Sequence, residues 1–95
     1  PEKYEKPEQE IFRRKDGSYL VEGSMDITRL SEFLSIDFEA KDYATLGGFI
    51  MERLGKIPEE GEIVNYLAYK FEVMDMDGKR VDKVLIEKLN NVDAF

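Results

Sequence analysis

The side chains of this sequence that could take part in chemistry are almost all carboxylates. Histidine and cysteine are absent, which removes the commonest general base, the thiolate metal ligand and any disulfide. Oxygen ligands that divalent cations bind weakly occur in two acidic stretches. These are Asp37, Glu39 and Asp42 in one stretch and Glu59, Glu60 and Glu62 in the other. Such loops are usually just solvated, and no pair of carboxylates is marked for catalysis. We therefore predict no catalytic, cofactor-binding or metal-binding residues.

Two motifs resemble ligand sites. Residues 75–78 read Asp-Met-Asp-Gly, but a calcium loop would need glycine and glutamate where Arg80 and Ile86 stand. Gly47-Gly48 lies in the first turn of a predicted helix, where bare amides can bind an anion. The alternative is close approach of that turn to a neighbouring strand. Because no Lys, Arg or Ser/Thr cluster accompanies the glycines, we favour close packing.

The composition limits the partners. The 95 residues suffice for one domain, and a net charge of −7 with a pI near 4.6 argues against nucleic-acid binding. The only basic cluster, residues 13–15, is interpreted as the solvated end of a hairpin. No apolar run approaches the ~20 residues that span a bilayer, and no signal peptide is evident. We therefore expect this chain to be soluble.

The elements that must position these groups are organised around one helix in residues 45–58. Thr45 is its predicted N-cap, Gly55 its left-handed end, and Pro58 prevents its resumption. An apolar stripe recurs at helical spacing between the caps and consists of Leu46, Phe49, Ile50 and Leu54. A shorter helix precedes it, capped by Asp26, with a stripe of Ile27, Leu30, Phe33 and Leu34.

Strands flank both helices. Asp16-Gly17 predicts a two-residue hairpin turn that pairs Phe12 with Val21, so that Phe12, Tyr19 and Val21 share one face. After a strand at residues 63–66, Asp77-Gly78 predicts a second hairpin. Its expected pairs are Phe71 with Val84, Tyr69 with Ile86 and Glu72 with Lys83.

The resulting fold class is α+β, in the order ββ-α-α-βββ, with a mostly antiparallel sheet and both helices on one face. Residues 1–9 have the charged composition of a linker, which suggests a domain upstream. We expect the domain to occupy residues 10–89 and residues 90–95 to form a C-terminal tail.

Several segments resemble the transporter-associated domain of the CorC/HlyC family, over roughly residues 10–89. The segments are residues 16–23, 43–50, 54–62, 71–73 and 77–81, and the most specific run is Thr45-Leu46-Gly47-Gly48 followed by Leu54-Gly55-Lys56-Ile57-Pro58. The sequence departs from the family pattern at Leu67-Ala68, where the family often has glycine.

This resemblance implies a cytoplasmic C-terminal domain that follows a membrane domain and a pair of nucleotide-binding cystathionine-β-synthase-type (CBS) domains. Proteins of this kind are linked to magnesium and cobalt efflux and were once labelled hemolysins. The fold is similar to part of a flavin-binding (FAD-binding-like) domain, with no cofactor residues that can be placed on this chain.

The sequence leaves three functional hypotheses open. The first is a non-catalytic accessory or regulatory domain of the transporter, acting through contacts with its other domains, with possible self-association. The second is a module that binds an adenine or flavin nucleotide near Gly47-Gly48. The third is a weak divalent-metal sensor at the acidic loops.

Overall fold

The computed structural model describes residues 11–39 and 42–89, so the predicted linker 1–9 and tail 90–95 lie outside the described residues. The predicted α+β fold and element order are confirmed. The elements are β1 (Ile11–Arg13), β2 (Tyr19–Glu22), α1 (Ile27–Leu34), α2 (Leu46–Leu54), β3 (Ile63–Tyr66), β4 (Tyr69–Asp77) and β5 (Arg80–Lys88).

One five-stranded antiparallel sheet carries the fold. Its strand order is β1-β2-β5-β4-β3, so β2 pairs with β5 and the two hairpins join into one surface. Side chains alternate between its two faces. The face that meets α1 and α2 is buried and contains Val21, Phe71, Val73, Val84 and Ile86, each at most 1% exposed. The opposite side of the sheet, away from the helices, is called the open face below.

Helix α2 begins and ends as the sequence predicts. The Thr45 hydroxyl accepts a hydrogen bond from the Gly48 N–H at 3.1 Å, and Gly55, at φ +72, donates its N–H to the Met51 carbonyl at 2.8 Å. Phe49 and Ile50 are fully buried. These caps satisfy backbone groups that a helix end leaves without partners.

Helix α1 confirms the Asp26 cap, whose carboxylate accepts from the Arg29 N–H at 3.0 Å. Ile27, Leu30 and Leu34 are buried, but the expected burial of Phe33 is wrong, since Phe33 is 48% exposed. At about 100° per residue, position 33 lies roughly 90° from the centre of the stripe. Its ring instead contacts the edge of Tyr19, with centroids 5.0 Å apart.

The β1–β2 hairpin has a register different from the predicted one. Ile11 pairs with Val21, and Phe12 pairs with Leu20 instead of Val21. A slip of one residue moves every side chain of a strand to the other face. Ile11 therefore packs against the core, and Phe12 lies 45% exposed on the open face.

The loop of this hairpin explains the slip. The Arg14 N–H donates to the Ser18 carbonyl at 2.8 Å, so three residues connect the strands. Gly17 has φ +90, and the Asp16 carboxylate accepts from both the N–H and the hydroxyl of Ser18. A turn followed by a glycine bulge has replaced the predicted two-residue turn.

The β4–β5 hairpin is shifted by two residues from its predicted register. Phe71 pairs with Ile86 instead of Val84, and Tyr69 pairs with Lys88 instead of Ile86. The turn is formed by Gly78 and Lys79, because Asp77 pairs with Arg80. A shift of two preserves the face of every side chain. The buried residues were therefore predicted correctly and their partners were not.

The predicted Glu72–Lys83 pair is also wrong, since Glu72 pairs with Leu85 and Lys83 with Asp75. The ladder is irregular between Val73 and Met76. Such a bulge leaves unpaired residues and re-aims neighbouring side chains.

Candidate functional site

The acidic stretches do not converge on one point. Glu62 forms an ion pair with Lys56 at 2.7 Å, and its carboxylate also accepts from the Glu59 N–H at 3.0 Å. These contacts lower the pKa of Glu62, with the Lys56 hydrogen bond as the main cause. The Asp37 carboxylate accepts from the Glu39 N–H at 2.9 Å. Within residues 11–39 and 42–89, no group of three or more carboxylates is placed to hold a metal ion.

The β4–β5 bulge creates a carboxylate cluster that the sequence analysis missed. Asp75, Asp82 and Glu60 lie together there, and we call them the acidic bulge. A hydrogen bond with Asp82 and the nearby Glu60 raise the pKa of Asp75, whereas the ammonium of Lys83, at 3.0 Å, lowers the pKa of Asp82. Only the register brings these residues together, so no spacing in the sequence signals them.

The double glycine of α2 packs against its neighbours, as predicted. A Cβ on Gly47 would lie 3.2 Å from both the Gly23 carbonyl oxygen and the Val81 Cβ, and one on Gly48 would lie 2.9 Å from the Tyr43 Cβ. Both contacts are tighter than nearly all real Cβ contacts. The close-packing interpretation is confirmed.

The amides of this turn already have acceptors. Leu46 donates to the Met25 carbonyl at 2.9 Å, Gly47 to the Gly23 carbonyl at 2.8 Å, and Gly48 to the Thr45 hydroxyl. A groove of about 400 Å³ lies alongside. Anion binding at a helix start depends on unpaired N–H groups. The turn therefore has none of the free first-turn donors that a phosphate would need.

The open face carries a row of apolar side chains that the helices do not cover. Strand pairing aligns one residue from each strand across the sheet, and we call this set the apolar row: Phe12, Leu20, Leu85, Glu72 and Ile63. Phe12 and Ile63, at the two ends, are 45% and 46% exposed, and neighbouring Met74 is 41% exposed. Four of the five members are hydrocarbon side chains. Phe12, Leu20 and Leu85 are contiguous across β1, β2 and β5, and contiguous apolar patches mark interaction sites.

Charged residues border the apolar row on both sides. At one end Lys83 pairs across the ladder with Asp75, and at the other Glu87 pairs with Lys70, with the Lys70 ammonium 3.2 Å from the Glu87 carboxylate. An apolar centre with a charged rim is the usual anatomy of a protein–protein interface. The open face is therefore the best candidate functional surface among the described residues.

In the described residues, this architecture is that of an α+β domain whose antiparallel sheet packs α1 and α2 on one face and leaves the other face to solvent or a partner. The chain belongs to the CorC_HlyC family, described as "Transporter associated domain", which matches residues 12–90. The resemblance noted in the sequence is thereby confirmed.

Individual relatives agree with this assignment. The chain is 40% identical over 86 residues to the Polyamine export protein of Salmonella typhimurium, covering 88% of this chain and 19% of that protein. It is 22% identical over 80 residues to the Magnesium and cobalt efflux protein CorC of Buchnera aphidicola, covering 84% of this chain and 28% of that protein. The chain thus spans less than a third of either relative.

Among solved structures, the fold is similar to the transporter associated domain CorC_HlyC of a Xylella fastidiosa Temecula1 hemolysin, in complex with Mg²⁺ and Mn²⁺. The TM-score is 0.80 at 35% identity, covering 86% of this chain and all of that chain. The comparisons establish a domain associated with transporters of the CorC and hemolysin type. Within the described residues, no helix is long and apolar enough to cross a membrane.

Proposed function

We propose that this chain is a non-catalytic accessory domain of a membrane-bound cation exporter of the magnesium and cobalt efflux, hemolysin-like type. It works through protein–protein contacts that bias transport. The observation that carries the proposal is the open face, an apolar row bordered by charges on the side of the sheet that neither α1 nor α2 covers.

The names of the relatives support a cationic cargo. One is named for polyamine export and another for magnesium and cobalt efflux. All of these are cations, so the shared chemistry is cation export, and we keep magnesium and cobalt as the proposed cargo. The domain itself need not bind the cargo, since the carboxylates of its two acidic stretches are engaged in separate ion pairs and turns.

The proposed setting is the cytoplasmic side of the membrane, after a membrane domain and a nucleotide-binding CBS-type pair. The support is family membership together with the fraction of each relative that the chain covers. In that setting, the open face would contact another protein surface, and its occupancy would change with the state of the transporter.

The test uses the full-length transporter that contains this chain. Leu85→Asp places a charge at the centre of the apolar row without touching the buried face, because Leu85 lies between inward-facing Val84 and Ile86. We expect Leu85→Asp to alter the rate or regulation of cation efflux to the same extent as deletion of the domain. Efflux is measured with magnesium and cobalt, and with polyamines in parallel.

The matched control is Phe33→Asp, which charges an exposed aromatic residue on the helical side of the domain. It should leave transport unchanged. Unaltered transport on deletion of the whole domain would overturn the proposal. Titration of the isolated chain with nucleotides, flavins and Mg²⁺, followed by heteronuclear NMR, addresses the two rival functions. Shifts localised at residues 45–49 would favour a nucleotide module, and shifts at the acidic loops a metal sensor.

A further inference from the structure

We propose that the open face binds a second copy of this chain, in a two-fold symmetric dimer whose axis runs along the apolar row. This inference rests on the proposed function, because it names the partner of the same surface. Strand register, charge placement and area all support it.

Charged residues are aligned along β5 and β4 on the open face. Lys83, Leu85 and Glu87 alternate along β5 and so share this face. Lys83 lies at one end between its ladder partners Asp75 on β4 and Glu22 on β2, while Glu87 and its ladder partner Lys70 lie at the other. Lys83, Glu87 and Lys70 are each two residues, about 7 Å, from the row along their strands. Asp75 is three residues from Glu72 and reaches the level of Lys83 through the bulge in the ladder.

A two-fold axis along the row brings opposite charges together. Rotation by 180° about this axis exchanges the two ends of the face. Lys83 then lies over Glu87 of the second copy, and Asp75 lies over Lys70 of the second copy. Both contacts occur twice, so four pairs of opposite charge surround an apolar centre in which Leu20 and Leu85 meet their own copies.

The alternative axis, parallel to the strands, is disfavoured by the same charges. It would place β5 over β5 of the second copy with the ends unexchanged. Lys83 would then face Lys83, and Glu87 would face Glu87. Like charges placed directly opposite each other are destabilising. The charge pattern therefore selects one of the two in-plane axes.

One residue of the row opposes the proposed dimer. Glu72 lies next to Leu85 in the row and would approach its own copy near the axis. A repulsive element of this kind keeps an interface weak and sensitive to its surroundings. We therefore expect a reversible dimer, which Glu72→Gln tightens.

The area is sufficient for such a dimer. Five strands about 4.8 Å apart, each roughly 20 Å long on average, give a flat footprint of roughly 500 Å² per copy. The pair then buries roughly 1,000 Å², which is the lower limit for a specific interface. Weak association that becomes significant when copies are held close together is the expected behaviour.

The experiment is sedimentation equilibrium of this chain between about 10 μM and 1 mM, the range where weak interfaces are populated. Wild type should show monomer–dimer exchange, and Leu85→Asp should be monomeric throughout. Lys83→Glu and Glu87→Lys should each raise the dissociation constant about tenfold, since each reverses two of the four pairs. The double variant Lys83→Glu/Glu87→Lys should recover to within about twofold of wild type.

The double variant is informative because it loses the contacts of Lys83 with Asp82 and of Lys70 with Glu87 within each chain. Greater stability of the monomer therefore cannot explain its recovery. Circular dichroism checks that every variant is folded. A chain that stays monomeric to about 1 mM, or a double variant weaker than either single one, overturns the inference.

The two proposals fail in different ways. If the chain does not dimerise but Leu85→Asp still alters efflux by the full-length transporter, the open face binds another domain and only this inference falls. If Leu85→Asp abolishes dimerisation while deletion of the domain leaves transport unchanged, the proposed function falls and the dimer stands.

Discussion

The two faces of the sheet differ in how far their apolar side chains are exposed to solvent. On the face beneath the helices, Phe49 and Phe71 are fully buried with their ring centroids 5.3 Å apart. On the open face, Phe12 and Ile63 keep nearly half of their surface in water. The same strands supply both faces by alternation. This difference separates residues that hold the fold from residues available to a partner.

Polar groups differ between the two faces as well. Beneath the helices, the first-turn amides of Leu46, Gly47 and Gly48 all have acceptors. At the edge of the open face, the carboxyls of Asp75 and Asp82 are held together despite their like charge. Buried polar groups must be satisfied for the chain to fold, whereas an unfavourable contact at a solvated edge is tolerated. An unfavourable contact that a protein retains at its surface, such as that between Asp75 and Asp82, indicates where to look for function.

The largest expected difference between the faces is in the free energy of unfolding lost when a phenylalanine on each face is replaced by alanine. Phe49→Ala removes a fully buried ring and should lower the free energy of unfolding by about 3–5 kcal/mol. Phe12→Ala removes a ring that is 45% exposed and should cost less than about 1 kcal/mol. Urea denaturation at low micromolar protein concentration measures both without a contribution from dimerisation. Equal losses would show that the open face also holds the fold.

The next test concerns backbone packing beside the helical layer. Gly23→Ala would place a Cβ 1.9 Å from the Val81 carbonyl oxygen, and this backbone atom cannot move aside cheaply. We expect a loss of about 3 kcal/mol or failure to fold. Gly17→Ala is the control, because its Cβ would meet nothing within 4 Å and its cost comes only from φ +90, about 1–2 kcal/mol. A smaller loss for Gly23→Ala than for Gly17→Ala would contradict this interpretation.

The two hairpins show which features of strand pairing could be predicted from the sequence. In β4–β5 the predicted register was two residues off, and Phe71 and Val84 still faced the helices. In β1–β2 the register was one residue off, and Phe12 moved to the opposite face. Alternation and caps are local signals and were readable from the sequence. The loop length of β1–β2 was not, because it depends on the hydrogen bonds that the Asp16 carboxylate accepts from Ser18. In β4–β5 the two-residue length was predicted, but the turn falls one residue later, on Gly78 and Lys79.

The candidate site was the part hardest to predict from the sequence, because it depends on strand register. Leu20, Leu85 and Ile63 belong to three strands, and only the correct registers align them in one row. The acidic bulge likewise depends on an irregular ladder between residues 73 and 76. The close packing of Gly47 could be predicted, because glycine destabilises a helix interior and this pair has no basic neighbours that would help it hold an anion.

The third prediction, with a smaller expected effect on stability, concerns backbone conformation and not side-chain packing. Leu67, in the two-residue turn between β3 and β4, has φ +54 although its side chain is 62% exposed. The left-handed conformation costs a residue with a Cβ about 1–2 kcal/mol, and glycine avoids that cost. Leu67→Gly should therefore raise the free energy of unfolding by about 1 kcal/mol, measured by urea denaturation. Leu67→Ala is the control and should give no gain, since alanine retains the Cβ.

The smallest expected effect is a change in pH dependence at the open face. Hydrogen bonding to Asp82 raises the pKa of Asp75 in the folded chain above its unfolded value. The folded state therefore holds the Asp75 proton more tightly, and stability falls as pH rises through the two pKa values. Below both values the proton is bound in either state, so this loss is absent.

Asp75→Asn keeps the size of the side chain but never ionises. It should raise the melting temperature at pH 7 and leave it almost unchanged near pH 3, so that the two proteins differ more as pH increases. Thermal unfolding across that range measures the difference. Glu62→Gln gives the opposite sign, because Lys56 lowers the pKa of Glu62 and its stabilisation is present at neutral pH and lost on acidification. An Asp75→Asn variant less stable than wild type at pH 7 would mean that the carboxylate of Asp75 is stabilising, and the contrast between the two faces would not extend to charge.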